Sequence, residues 1–286
     1  AHELQRTLAC LGSVICRGRS SSPPLDLLNP SSIASSIEEL APDLIVNAAA
    51  YTQVDRAETE QEAAFIVNAE AVGQIANACR KQQIPLIHFS TDYVFDGTSQ
   101  KPYREDDPTG PVGIYAASKL RGEELIREAD IPHWILRTAW VYGRHGQNFL
   151  KTMLRLMAER EDLGIVNDQF GAPTWSRMIA EATALMIARS MIDGRIDFSA
   201  HSGTYHLTSA GQTTWYGFAE KIRQLGIQNG VLSETAATLR AITTADYPTP
   251  AKRPAYSVLD NQRLAQTFSV QIPDWEESLA LCLQES

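Results

Sequence analysis

The sequence predicts an α/β fold built on a doubly wound parallel sheet, with a smaller mixed region towards the C-terminus. Short apolar runs alternate with longer helix-like stretches in the first half, which is the pattern of strands joined by crossover helices. Strands of a parallel sheet are covered on both faces, so they read as continuous apolar runs. The runs that we expect to form strands are residues 13–16, 43–47, 85–89 and 133–137.

Helix-like stretches lie between and beyond these runs, at residues 1–12, 32–40, 56–82, 115–128, 148–159, 175–191 and 214–225. After about Gly143 the alternation stops, and helices are separated by Gly/Pro-containing segments and long loops such as residues 241–254. We therefore expect two domains, residues 1–145 and residues 146–286, with parts of the second returning to the sheet of the first.

The chain opens directly in a helix that leads through Gly12 into the first apolar run. A dinucleotide-binding sheet ordinarily opens with a central strand and a glycine-rich turn at a helix N-terminus. We expect such a strand and turn to lie upstream of Ala1. Because a missing central strand would cost more than the marginal stability of a domain, we expect residues 1–286 without it to be inactive.

Composition favours a soluble enzyme, with 44% hydrophobic and 21% charged residues. A net charge of −9 disfavours nucleic acid and anionic membrane surfaces as partners. No apolar run approaches the roughly 18 residues that a membrane span needs. The four cysteines form no CxxC pair, which is typical of reduced thiols, and we expect a cytoplasmic protein.

Tyr115 and Lys119 are four residues apart on an expected helix, so their side chains share one face. A free tyrosine has a pKa of about 10, and we expect the neighbouring ammonium and the helix N-terminus to lower it. Thr91 ends an expected strand and can hold a substrate oxygen. The pattern predicts carbonyl reduction, in which Tyr115 protonates the oxygen and Lys119 holds the nicotinamide ribose. The same spacing also occurs by chance on helix surfaces.

Six segments in order carry a further pattern: residues 47–55 (NAAAYTQVD), 89–97 (FSTDYVFDG), 115–119 (YAASK), 137–143 (RTAWVYG), 167–174 (NDQFGAPT) and 247–254 (YPTPAKRP). Together they resemble the dTDP-4-dehydrorhamnose reductases, a family of the extended short-chain dehydrogenase/reductases. The resemblance implies a Rossmann-like first domain, a substrate-binding second domain and NADPH or NADH as the cofactor. It further implies reduction of the 4-keto group of dTDP-4-dehydro-L-rhamnose to dTDP-L-rhamnose, with a homodimer as a possible assembly.

The resemblance also implies roles for single residues. Tyr115, Lys119 and Thr91 are expected to be catalytic, and Tyr115 and Lys119 also to contact the cofactor. The other cofactor contacts are expected at Asp26 and Leu27 near the adenine, and at Ala48, Ala49, Ala50 and Thr52 along the ribose and pyrophosphate. Thr91, Asp92 and Trp140 are expected to face the sugar nucleotide. Asn148 and Arg253 are our candidates for its pyrophosphate, since an acidic protein must meet that group with local donors.

NADPH is the cofactor that we expect, from the segment around Gly18. An NAD-preferring site commonly has an acidic residue there to bind the ribose 2′-hydroxyl. Here Arg17 and Arg19 flank the glycine and can bind a 2′-phosphate through charge-assisted hydrogen bonds. The alternative is two solvated arginines in a surface loop.

No metal is expected, because the histidines show no ligand-like spacing. Some members of the resembled family hold Mg²⁺ through carboxylates at a dimer contact. Glu3 matches one of those positions, but Arg177 stands where a second acid is expected.

Two other functions stay open. Sugar-nucleotide dehydratases and epimerases share the Tyr-Lys helix, but a dehydratase is expected to carry an acid where this chain has Tyr93. The family fold also resembles the regulatory beta subunit of methionine adenosyltransferase, an NADP-binding protein without a mainly catalytic role. The retention of Thr91, Tyr115, Lys119 and Trp140 favours an enzyme.

Overall fold

The structure is a computed structural model that describes residues 1–193, 195–198 and 200–284. The β-strands are β1 (Ile45–Asn47), β2 (Leu86–Thr91), β3 (His133–Thr138), β4 (Val141–Tyr142), β5 (Asp162–Val166), β6 (Phe170–Gly171), β7 (Thr174–Trp175), β8 (Met191–Ile192), β9 (Arg195–Ile196), β10 (Gly203–His206), β11 (Thr213–Thr214) and β12 (Thr238–Ile242).

The α-helices are α1 (His2–Leu8), α2 (Ile33–Leu40), α3 (Val54–Ala57), α4 (Gln61–Phe65), α5 (Ala71–Gln82), α6 (Ile114–Glu128), α7 (Phe149–Glu159), α8 (Ser176–Arg189), α9 (Trp215–Gln228), α10 (Gln262–Phe268) and α11 (Trp275–Gln284). A π-helical segment, Ile66–Glu70, joins α4 to α5, and short 3₁₀ turns occur at Pro30–Ser32, Asp92–Val94 and Thr244–Asp246.

The central sheet has four parallel strands in the order β1-β2-β3-β10. Helices cover both of its faces. On one face α2, α5 and α6 bury apolar side chains such as Ile37, Val72 and Ile126. On the other face, residues of α8 and α10 such as Met186 and Phe268 pack against Trp134 of β3. The predicted α/β fold with a parallel sheet is confirmed.

The predicted strand at residues 13–16 is wrong, because this run has no regular secondary structure. A strand is held by hydrogen bonds to a neighbouring strand. Among the described residues, β1 is paired only with β2, so nothing pairs with residues 13–16. The expected first helix also ends earlier, at Leu8 rather than Gly12.

The expected single helix over residues 56–82 is interrupted by the π-helical segment Ile66–Glu70. This segment contains the buried Asn68, which is 1% exposed. Its backbone lies against α6 so closely that a Cβ on Gly122 would stand 2.2 Å from the Asn68 carbonyl oxygen. Single π-helical turns often occur at functional sites, and this one lies beside the helix that carries Tyr115.

The second half of the chain contributes a core of its own. α7, α9 and α11 pack around Trp175, Phe218 and Leu279, together with the parallel pair β5 and β12. Other parts of this half lie on the central sheet: β10 pairs with β3, and α8 covers one face. No helix of the described residues is long and apolar enough to cross a bilayer.

Candidate active site

A cavity of about 350 Å³ opens beyond the carboxyl ends of β2 and β3. Parallel strands end at the same edge of a sheet, which is where ligands bind in folds of this class. The lining residues are Thr52, Ser90, Thr91, Asp92, Tyr115, Thr138, Trp140, Val141 and Gln147. Residues that we predicted to bind the cofactor, to catalyse the reaction and to bind the substrate therefore line the same cavity.

Tyr115 is the second residue of α6, and the start of this helix is fixed by a hydrogen bond from Ile114 N to Glu58 Oε1 at 2.9 Å. Burial raises the pKa of Tyr115 to about 12, although a hydrogen bond with Thr91 opposes the shift. The expectation of a lowered pKa is wrong, because desolvation and the charge of Asp92 raise it by more than the hydrogen bond with Thr91 lowers it. Tyr115 is therefore a protonated phenol at neutral pH, which is the form that can donate a proton.

Lys119 is 2% exposed and points into the sheet. Its Nζ donates to Phe89 O at 2.7 Å and lies 3.1 Å from His88 Nε2. Burial lowers the pKa of Lys119 to about 8, and the charge of Glu123 opposes this shift. The predicted i,i+4 relation with Tyr115 is present on α6, and the Lys119 Nζ bonds to β2 rather than to the phenol.

Thr91 and Asp92 follow directly from the end of β2. Thr91 Oγ1 donates to Asp92 Oδ1 at 3.1 Å. Asp92 is 2% exposed, and burial raises its pKa to about 7 against hydrogen bonds with Ser257 and Thr91. A carboxyl group that titrates near neutrality thus shares the cavity with Tyr115. Sequence reasoning missed Thr138, whose buried Oγ1 has no hydrogen-bond partner among the described residues.

Trp140 lies in the left-handed backbone region, with φ of 45°. Its ring stacks on Trp215 with centroids 3.6 Å apart and an interplanar angle of 6°. Gly171 leaves room for this ring, since a Cβ there would stand 2.4 Å from it. Sequence reasoning missed Trp215, for which an aromatic side chain at a helix start was the only signal.

Arg253 forms an ion pair with Asp55, with Nη2 2.8 Å from Oδ2. Burial raises the pKa of Asp55, but the hydrogen bonds from Arg253 and Ala251 and the charge of Arg253 together outweigh burial, and the net pKa lies below the ordinary value. Arg253 also hydrogen-bonds to Tyr93. Asp55 belongs to the motif at residues 47–55, but sequence reasoning assigned it no role.

Asn148 caps α7, and its amide is engaged by backbone groups. Its Oδ1 accepts from Lys151 N at 3.2 Å, and its Nδ2 donates to Gly143 O at 2.6 Å. A substrate contact would have to compete with these bonds.

The alanines expected along the cofactor path lie just beyond β1. Ala48 and Ala49 are exposed and Ala50 is half-buried, so a ligand can approach their backbone closely. Ala49 N donates to Asn47 Oδ1 at 3.1 Å. Small exposed residues at this edge fit a dinucleotide.

The remaining predicted cofactor residues lie in the loop after residues 13–16. Arg19 is exposed, while Arg17 is half-buried with an Nε that has no hydrogen-bond partner among the described residues. Asp26 Oδ1 accepts from Leu28 N at 3.0 Å, and Leu27 packs against the core on one sheet face. An unpaired buried guanidinium nitrogen fits a phosphate ligand.

His2, Glu3 and His145 come together with potential ligand atoms within 4.8 Å of one another. Their separation in the sequence hid this cluster from spacing arguments. Glu3 already pairs with Arg6 at 3.2 Å and Arg177 at 3.4 Å, so its charge is balanced by guanidinium groups. The absence of a metal stays a prediction. A second cavity of about 540 Å³, between residues 207–212 and 258–272, is lined by none of the predicted site residues.

The chain matches the family described as RmlD substrate binding domain over residues 1–286. It is 47% identical to the dTDP-4-dehydrorhamnose reductase of Burkholderia thailandensis, over 99% of this chain and 94% of that protein. The reductase of Escherichia coli K12 is 42% identical, over 99% of this chain and 93% of that protein.

Solved structures of dTDP-4-dehydrorhamnose reductases are also similar to this chain. A dTDP-4-dehydrorhamnose reductase from Bacillus anthracis in complex with NADP is 33% identical with a TM-score of 0.80, covering 92% of this chain and 89% of that one. The ortholog from Clostridium acetobutylicum is 33% identical with a TM-score of 0.88, covering 99% of this chain and 94% of that one.

Proposed function

Because the chain belongs to the RmlD family of dTDP-4-dehydrorhamnose reductases, we propose that it reduces the 4-keto group of dTDP-4-dehydro-L-rhamnose to give dTDP-L-rhamnose, with NADPH as the reductant. The chain is an NAD(P)H-dependent oxidoreductase. The observation that carries the assignment is the protonated phenol of Tyr115 in one cavity with Thr91 and Trp140.

Carbonyl reduction adds a hydride to carbon and a proton to oxygen. NADPH supplies the hydride when it is bound. Tyr115 donates its phenolic proton to the carbonyl oxygen, because its raised pKa keeps that proton in place until charge develops on the oxygen. Thr91, hydrogen-bonded to the phenol, orients the same oxygen.

The cofactor side of the site consists of Tyr115, Lys119 and the segment after β1. Ala48, Ala49, Ala50 and Thr52 line the path of the ribose and pyrophosphate in this proposal. Arg17 and Arg19 bind the 2′-phosphate, supported by the unpaired Nε of Arg17. Asp26 and Leu27 lie on the adenine side, although Leu27 is partly committed to packing.

The sugar nucleotide is held by Asp92, Trp140 and Arg253 in this proposal. Trp140 offers a flat surface that is braced by Trp215. Arg253 meets the pyrophosphate, and Asp55 keeps its guanidinium in place until then. Asn148 is the weakest candidate, since its amide already caps α7.

The rest of the assignment follows from the same family. We propose that the protein works in the cytoplasm and that it assembles as a homodimer. We also keep the division into residues 1–145 for the dinucleotide and residues 146–286 mainly for the substrate. In support, the second half has a core of its own around Trp175 and Phe218.

A dehydratase is disfavoured by Tyr93, because burial raises the pKa of this phenol well above its ordinary value. Such a group does not remove a proton from a sugar at neutral pH. A regulatory, non-catalytic role predicts cofactor binding without turnover, so the same assay separates it from a reductase.

The assay follows NADPH oxidation by the full-length protein, with the 4-keto sugar nucleotide generated in situ. We expect one NADPH to be oxidised per dTDP-L-rhamnose formed. Binding of NADPH without oxidation would favour the regulatory alternative.

A further inference from the structure

A buried series of hydrogen bonds connects the turn after β1 to Lys119. Asn47 and His88 are register partners on β1 and β2, so their side chains lie beside each other on one sheet face. Asn47 Nδ2 lies 3.1 Å from His88 Nδ1, and His88 Nε2 lies 3.1 Å from Lys119 Nζ. The three residues are 6%, 0% and 2% exposed, so water does not compete for these bonds.

The partners of Asn47 determine which nitrogen of His88 carries its hydrogen. Ala49 N donates to Asn47 Oδ1 at 3.1 Å, so the amide oxygen faces Ala49 and the NH₂ group faces the ring. His88 Nδ1 therefore accepts. Burial holds the pKa of His88 well below its ordinary value, and Lys119 lowers it further when charged, so the ring is neutral in either state of the lysine. In a neutral ring whose Nδ1 accepts, the hydrogen is on Nε2.

This hydrogen points at Lys119. An ammonium group has three donors and no acceptor, so Nε2–H can bond to Lys119 only when the lysine is an uncharged amine. A charged Lys119 requires the other tautomer, in which Nε2 accepts and Nδ1 carries the hydrogen. Asn47 must then turn its oxygen towards the ring and give up its bond to Ala49.

We propose that His88 is a positioning residue whose tautomer couples the charge of Lys119 to the backbone of Ala49. This rests on the proposed function, in which Lys119 is the catalytic lysine and Ala49 meets the cofactor. A cofactor oxygen that accepts from Ala49 N–H releases Asn47, and the released amide permits the tautomer that a charged Lys119 needs. Cofactor binding and charging of the lysine therefore favour each other.

The other ionisable groups near Lys119 either keep one protonation state between about pH 6 and 10 or titrate at a different pH from Lys119. Glu123, one turn further along α6, is held ionised by Arg137 of β3, and Arg127 also pairs with it. Tyr115 stays neutral in this range because its pKa is raised to about 12. Asp92 is the other group in the cavity that titrates near neutrality, with a pKa of about 7.

The direct test compares wild type with Asn47→Asp by ¹⁵N NMR of the histidine rings, without cofactor. The spectra are recorded at about pH 10, above the Lys119 pKa of about 8. Under these conditions the lysine is the uncharged amine, and we expect the Nε2–H tautomer for His88 in wild type. A carboxylate at position 47 still accepts from Ala49 N but also accepts from Nδ1–H, so the tautomer reverses. Lys119 should then titrate about one pH unit higher, which is a tenfold change in proton affinity. An Nδ1–H tautomer in wild type, or an unchanged tautomer in the variant, overturns the proposal.

Asn68→Asp is the control for the added charge. Asn68 is also buried beside α6, with Nδ2 3.0 Å from Ser118 Oγ, but it has no bond to His88. We expect it to leave the His88 tautomer unchanged. If it reverses the tautomer as well, bulk charge and not the hydrogen bond of Asn47 is responsible, and the coupling through Asn47 is refuted.

A kinetic measurement covers the case in which Asn47→Asp does not fold. In His88→Gln the amide oxygen can accept from a charged Lys119, so the alkaline limb of kcat/KM should move about one pH unit upwards. His206→Gln is the matched control, because His206 is also 0% exposed but lies on β10. An unmoved limb in His88→Gln, or an equal shift in His206→Gln, contradicts the proposal. The NMR measurement needs no turnover, so a wild type without reductase activity would refute the proposed function alone.

Discussion

Asp55 and Arg253 form an ion pair with Oδ2 and Nη2 2.8 Å apart, although 198 positions separate them in the chain. The pair joins α3, which begins within the motif at residues 47–55, to the proline-rich loop that contains Arg253. The ion pair places the Arg253 guanidinium next to the cofactor side of the site. This guanidinium is the only cation that we assign to the substrate pyrophosphate. Its carboxylate partner keeps the guanidinium in place while no phosphate is bound.

Replacing Arg253 tests this role. Arg253→Met should raise KM for the sugar nucleotide roughly 10- to 100-fold, since a hydrogen bond to a charged group contributes about 1.5–3 kcal/mol. KM for NADPH should change little. Arg155→Met is the matched control, because Arg155 pairs with Glu159 on the surface of α7. Equal effects of the two substitutions on KM would remove Arg253 from the substrate site.

The stack of Trp140 on Trp215 predicts that Gly171 is intolerant of a side chain. Gly171→Ala should displace the Trp140 ring, because the added Cβ would stand 2.4 Å from it. We expect kcat/KM for the sugar nucleotide to fall at least tenfold, the cost of about 1.4 kcal/mol in transition-state binding. Gly12→Ala, where a Cβ meets nothing within 4 Å, should keep wild-type kinetics. Full activity of Gly171→Ala would show that the stack does not position Trp140 for substrate.

Glu123 and Arg137 form a buried bidentate ion pair between α6 and β3, with contacts of 3.0 and 2.8 Å. Burial raises the pKa of Glu123, but the charges of Arg137 and Arg127 and the hydrogen bonds from Arg137 and Ser90 together outweigh burial, so the net pKa is lowered. Glu123→Gln should therefore reduce the free energy of unfolding at pH 7 by about 3–5 kcal/mol, because it leaves a buried guanidinium unpaired.

The stability that the Glu123–Arg137 pair contributes should decrease at low pH. A depressed folded pKa gives stability that is present above the unfolded pKa of about 4.3 and is lost as pH falls through the folded value. The difference between wild type and Glu123→Gln in urea unfolding should thus narrow below about pH 4. Glu128→Gln, on the exposed end of α6, should change stability by less than about 1 kcal/mol at either pH. If the difference in the free energy of unfolding did not depend on pH, the packing of Glu123 and not its charge would be the source of its contribution to stability.

Cofactor preference tests the two arginines after residues 13–16. Arg17→Ala with Arg19→Ala should lower the ratio of kcat/KM for NADPH over NADH by roughly 10- to 100-fold, since two charge-assisted contacts to the 2′-phosphate are lost. The NADH value itself should stay nearly constant. Arg121→Ala, on the exposed face of α6, should leave the ratio unchanged. A wild type that prefers NADH would contradict the assignment directly.

The sequence predicted those parts of the fold that depend on local pattern. The apolar runs of β1, β2 and β3 and the helix-like stretch 115–128 of α6 are visible in the residues themselves. The run at residues 13–16 failed because a strand depends on a partner, which the run itself does not encode. The π-helical turn at Asn68 was missed because it depends on the contact with Gly122.

The residues of the site also fall into those that the sequence could predict and those that it could not. Tyr115, Lys119 and Thr91 follow from spacing and resemblance. His88, Thr138 and Trp215 do not, because their roles arise from pairing across strands or between distant segments. The direction of the Tyr115 pKa was also predicted wrongly, since burial depends on the whole packed cavity. Asp55 could have been found, as it is the one carboxylate of its motif.

The transfer of deuterium tests the central claim most directly. NADPH deuterated at nicotinamide C4 is incubated with the full-length protein and dTDP-4-dehydro-L-rhamnose, and the sugar product is examined by NMR. We expect the label at C4 of dTDP-L-rhamnose, and Tyr115→Phe should slow its appearance about 10²- to 10⁴-fold while still binding NADPH. Unlabelled product, or an undiminished rate in Tyr115→Phe, would contradict the account.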